Sequence, residues 1–140
     1  MSTLVASRTE TANGTASVGM NAPAELDVAT FLLSVTAAAT EEGDKLNVYM
    51  QSSPDGGTTY DDFLHFTEVA GNGGAVKHLA LVNFRVTPTS SLHTPNDAAL
   101  SVGVNQGPVS NLWRAKWVVT DASTDNASFT FSISISSADD

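Results

Sequence analysis

The chain has 140 residues, enough for one domain that removes roughly 70% of its unfolded surface from water. Six Lys plus Arg stand against fifteen Asp plus Glu, a formal net charge of -9 that leaves no cationic cluster for phosphates and makes nucleic acid an unexpected partner. Cysteine is absent, which excludes disulfides, thiolate metal sites and cysteine nucleophiles.

Only 15% of residues are charged, against about 25% in an average soluble domain, so Ser, Thr, Asn, Ala and Gly must supply the surface. That composition suits strands, turns and close subunit contacts. The first thirty residues hold no basic region followed by an apolar run, and no apolar stretch reaches 18 residues. Neither a signal peptide nor a membrane span is therefore expected. Two glycosylation triplets, at Asn13 and Asn126, are of the kind that arises by chance in such a chain.

In chain order, residues 1–22 are rich in Ser, Thr, Ala and Gly and carry few large apolar groups, so they are expected to form an N-terminal arm able to add a strand to a neighbour. Residues 23–140 are expected to form a single β-sandwich domain. From Ala24 to Ala39 the apolar residues fit either period, and β-branched content favours a strand, with room for a short helix over Ala37 to Glu42. Leu46, Val48 and Met50 alternate with polar residues until Ser52-Ser53-Pro54-Asp55-Gly56-Gly57 breaks the run in a turn. Tyr60 to Val69 resumes as a strand, Gly71-Asn72-Gly73-Gly74 reads as a hairpin connection, and Val76 to Val86 is a further apolar run ending before Pro88. Leu92 to Pro108 reads as a long loop with one short strand through Leu100, Val102 and Val104. Trp113, Ala115, Trp117 and Val119 interleave with Arg114 and Lys116, and Phe129, Phe131, Ile133 and Ile135 repeat the pattern; the pair reads as an antiparallel hairpin. Seven to nine short strands predict an all-β antiparallel sandwich or jelly roll.

Nothing in this pattern assembles chemistry. The adjacent pairs Glu41-Glu42, Asp61-Asp62 and Asp139-Asp140 would point to opposite faces of an extended strand. Asp55, Asp61 and Asp62 lack the spacing of a calcium loop. His65 and His78, if hairpin neighbours, would still want a third metal ligand. No Gly-x-Ser-x-Gly elbow marks a nucleophile, and the glycine run lacks a Lys-Ser/Thr ending. The expectation is a protein that is not an enzyme and takes no cofactor or metal. A carbohydrate-binding module, stacking sugars on Tyr49, Tyr60 and Trp113, is the second reading.

The run Leu46-Asn47-Val48-Tyr49-Met50-Gln51-Ser52-Ser53-Pro54-Asp55-Gly56-Gly57-Thr58-Thr59-Tyr60-Asp61-Asp62-Phe63, followed by Leu112-Trp113-Arg114-Ala115-Lys116-Trp117-Val118-Val119 and Phe129-Thr130-Phe131-Ser132-Ile133-Ser134-Ile135, resembles small structural proteins of tailed bacteriophages. It is similar to capsid decoration, or cement, proteins from about Asp44 onward. That resemblance implies a virion protein made in the bacterial cytoplasm and placed outside the head. Its partners would be the major capsid protein and its own copies, as a homotrimer or a dimer, with neither nucleic acid nor membrane among them. The contacts expected for such a role are Thr3, Leu4, Val5 and Arg8 in the arm, Arg85, Leu92 and His93 around the Pro88 loop, and Arg114 as a scarce cation able to pair with a carboxylate.

Overall fold

The computed structural model describes residues 1–21, 28–38, 41–84, 93–105, 109–110, 112–123 and 126–137. Ten strands form: β1 (Ser2–Glu10), β2 (Gly14–Asn21), β3 (Val28–Ala37), β4 (Lys45–Ser53), β5 (Asp61–His65), β6 (Val69–Ala70), β7 (Val76–Asn83), β8 (Gly103–Val104), β9 (Leu112–Thr120) and β10 (Phe129–Ser137). One sheet runs β1-β10-β3-β7. The other runs β2-β9-β4-β5-β8, with β6 also paired to β4. All pairings are antiparallel. Setting aside the two-residue strands β6 and β8, the chain alternates between the sheets except at the β4–β5 hairpin. The resulting four-on-four order is that of a jelly roll. No helix occurs among the described residues; of the span Ala37 to Glu42, where a short helix had room, Ala37 ends β3, residues 39–40 lie outside the described residues, and Glu41 and Glu42 enter a turn with Gly43 at φ 97°.

Period-2 alternation places Phe31, Leu33 and Val35 of β3, with Phe129, Phe131 and Ile133 of β10, against Leu46, Val48 and Met50 of β4 and Trp113, Ala115 and Trp117 of β9. Phe63 packs edge-on against Phe31 at 5.9 Å and tilts against Trp113 at 5.1 Å; Trp117 meets Phe131 at 5.5 Å. These rings close the core across both sheets.

Three expectations need correction. Residues 2–21 are no free arm: β1 pairs with β10, and β2 pairs with β9, so the N-terminus supplies one edge strand to each sheet. Val5 and Val18 enter the core, and small Ser, Thr and Ala residues suffice because an edge strand gains its main-chain bonds from its neighbour. β9 and β10 are not a hairpin, since they lie in opposite sheets and their aromatic faces pack across the core. The Gly71–Gly74 turn likewise carries the chain from β6 in one sheet to β7 in the other. Alternation reports which face is buried; it does not report the lateral neighbour.

Candidate functional site

The outer face of the second sheet carries most of the structured polar chemistry, and a β-bulge creates it. Met50 pairs with Leu64 but Gln51 pairs with Asp62, so Phe63 is the extra residue on β5. Phe63 and Leu64 are both buried in the core, while Asp62 on one side of the bulge bonds Gln51 and His65 on the other stacks on Tyr49.

Residues 93–102 lie over this face and are fastened by the two neighbouring carboxylates. Asp62, fully buried, accepts the backbone N–H groups of Ala98 (3.0 Å), Ala99 (2.9 Å) and Leu100 (3.0 Å) and the Nε2 of Gln51 (2.7 Å). Asp61 accepts the N–H of Asn96 at 2.9 Å and lies 2.7 Å from His93 Nε2. The Asp62 N–H donates to Asn96 O at 2.7 Å. Ala98 sits at φ 56°, a left-handed conformation costing about 1–2 kcal/mol for a residue with a Cβ. The carboxylate bonds on each side of it hold that conformation.

Around this anchor runs a charged network. Arg114 Nε donates to Gln51 Oε1 at 2.7 Å, its guanidinium lies 3.5 Å over the Tyr60 ring, and Nη2 is 3.5 Å from Asp97 Oδ2. Lys116 Nζ and Gln51 Nε2 both donate to Asp97 Oδ1, at 2.7 and 2.8 Å. Burial pushes the Asp97 carboxyl up more than any single contact pulls it down. The hydrogen bonds from Lys116 and Gln51 and the charges of Lys116 and Arg114 together outweigh burial, leaving it below its ordinary value. His65 stacks on Tyr49 at 4.1 Å, with Nδ1 2.7 Å from Leu100 O and Nε2 2.7 Å from Asn47 Oδ1. Burial, then the negative charges of Asp62 and Glu68, raise the Tyr49 phenol.

Each acidic group in this network is occupied by donors from its own chain, so the arrangement fixes a surface loop. Asp55 is likewise spent on its turn, accepting the N–H groups of Thr58 (3.1 Å) and Thr59 (2.8 Å) and the Ser53 hydroxyl (2.9 Å). Bonds to Thr59 lead in holding its pKa down. His65 and His78 lie in opposite sheets, so the imagined shared metal does not form. Of the sugar-stacking candidates, Trp113 is core, Tyr49 is buried under His65 and Tyr60 is covered by Arg114.

The expected contact residues separate. Thr3 is exposed and Leu4 half-buried on the edge strand β1, whereas the Val5 side chain is in the core. Arg8 pairs with Glu10 at 2.6 Å and lies 4.5 Å over Trp117; Arg114 and His93 are engaged in the networks above. Arg85 and Leu92 lie outside the described residues. Sequence reasoning passed over Leu79 and Leu81 of β7, exposed by 69% and 63%, which stand beside Leu32 and Thr30 of β3. Their signal is parity: Val82 and the half-buried Val76, His78 and Ala80 take the inner face, so the leucines must take the outer one.

No family model matches the chain, and no curated protein matches it. Among solved structures, it is similar over 81% of its length to a chain of the cryo-EM structure of broad bean stain virus, at 13% identity and a TM-score of 0.41. It spans 58% of that chain. No helix among the described residues is long and apolar enough to cross a membrane.

Proposed function

We propose that the chain is a structural virion protein that binds the outer surface of a bacteriophage head and cements neighbouring major capsid subunits. The observation that carries this reading is the exposed pair Leu79 and Leu81 on β7, an edge strand of its sheet among the described residues. Exposed leucines on an open edge are an aggregation liability that a bound protein partner removes. The charge pattern agrees: between Glu68 and Asp97 the sequence has no acidic residue, and Lys77 shares the exposed parity of β7 with the two leucines, so this strand would not repel a partner that carries carboxylates.

The resemblance of the β4–β5 turn and of β9 and β10 to cement proteins supports the same partner, and a homotrimer at a symmetry axis is the proposed assembly. Cementing would act by linkage, since a protein that binds only the mature shell stabilises that shell by mass action. Non-enzymatic action belongs to the same proposal. The test is cosedimentation of the purified protein with empty expanded heads, together with its solution mass. Stoichiometric binding by a trimer or dimer supports the reading, and a monomer left in the supernatant overturns it.

A further inference from the structure

We propose that Glu41, Asp44 and Asp121 form a calcium site tying together three sheet-to-sheet crossings at one end of the sandwich. One carboxylate oxygen from each lies within 4.8 Å of the other two. The three residues come from two separate stretches of chain: Glu41 and Asp44 from the turn between β3 and β4, and Asp121 from the start of the β9–β10 crossing. Gly71, in the β6–β7 crossing, donates its N–H to Asp44 O at 2.7 Å.

Asp44 distinguishes this group from an ordinary acidic surface. It is fully buried, and although Oδ1 accepts the Ala122 N–H at 2.8 Å, the buried Oδ2 has no hydrogen-bond partner among the described residues. A buried carboxylate oxygen without a donor carries a desolvation penalty that none of the described residues offsets. A cation bound among the three carboxylates supplies the missing partner and removes their mutual repulsion. The site is also preorganised. The Asp44 N–H donates to Glu41 O at 3.4 Å, and Gly71 lies so close that a Cβ there would strike Glu41 O and come within 2.9 Å of Asp44 Cβ.

The donor set selects the ion. Three carboxylates with neither His nor Cys favour a hard cation. Calcium–oxygen distances of about 2.3–2.6 Å let one ion reach oxygens up to 4.8 Å apart, whereas magnesium at about 2.0–2.1 Å requires a tighter octahedron. With three protein carboxylates and the remaining positions left to water, the affinity belongs to the weak class, about 10⁻⁴ to 10⁻³ M.

The test uses the full chain after chelator treatment, with thermal unfolding and calorimetric titration against calcium chloride and magnesium chloride. The expected result is one calcium per chain and a Tm that climbs by several degrees up to about 10 mM calcium, with a smaller response to magnesium. Glu41→Gln and Asp121→Asn, changed at the two less buried ligands, should fold without the ion and lose the calcium-dependent rise. These two variants carry the test because Asp44→Asn also disturbs the backbone that Asp44 organises. No rise in the unmodified protein overturns the site, as does a full rise in both variants; an equal response to magnesium overturns the assignment to calcium.

Discussion

Asp62 Oδ2 accepts the backbone N–H of Leu100 at 3.0 Å although the two residues are 38 positions apart, and the same oxygen takes the Ala99 N–H at 2.9 Å. One buried side chain on β5 thus dictates the path of a loop that crosses the face of its sheet. Asp62→Asn keeps the volume but replaces one acceptor with a donor facing backbone N–H groups. We expect a loss of about 2–4 kcal/mol, read as a lowered urea midpoint by tryptophan fluorescence. An unchanged midpoint would mean that the loop is held by other contacts.

Asp97 makes the same loop sensitive to acid. Its folded pKa is depressed, so its contribution is present above its ordinary value of 3.8 and disappears as pH falls through the lower folded value. Stability should therefore hold at neutral pH and start to decline near about pH 5. Asp97→Asn should flatten part of that decline, while changing stability at pH 7 by less than about 1 kcal/mol because the side chain is half exposed. Hydrogen exchange of the 96–100 amides across pH 3 to 7 is the direct measurement; a slope identical in the two proteins would be the contrary result.

Gly14 lies against the buried ring of Trp117, where a Cβ would stand 2.7 Å from the nearest ring carbon. The ring is wedged between this backbone and Arg8, with Phe131 edge-on, and has little room to retreat. Gly14→Ala should lower stability by about 1–3 kcal/mol through overpacking, even though alanine is ordinarily the better residue in a regular element. Thermal unfolding checks this, and an unchanged or raised Tm would show that β2 can shift outward freely.

Leu79 and Leu81 have little to lose on the folded protein itself. Leu79→Ser combined with Leu81→Ser should leave stability within about 0.5 kcal/mol and remove cosedimentation with expanded heads. Retained stoichiometric binding by the double variant would move the contact to another face.

Local pattern in the sequence carried the inner faces of β4, β9 and β10. The runs through Leu46, Trp113 and Phe129 alternate so regularly that core membership was legible without coordinates, because the side-chain period of a strand is a local property. The turn at Pro54 to Gly57 was legible for the same reason, its Ser and Asp oxygens accepting backbone N–H groups only two to four residues away. Tertiary structure alone decided which strands are neighbours. Residues 2–21 looked like an arm because their small side chains signal little burial, and only pairing with β10 and β9 gives them a place. The aromatic runs of β9 and β10, read as a hairpin, face each other from opposite sheets. The bulge at Phe63, the clasp of Asp62 on residues 98–100 and the convergence of Glu41, Asp44 and Asp121 all depend on contacts between segments distant in sequence. A linear pattern encodes the parity of each residue within its strand, whereas the register and crossing of strands are set by how the two sheets close over one core.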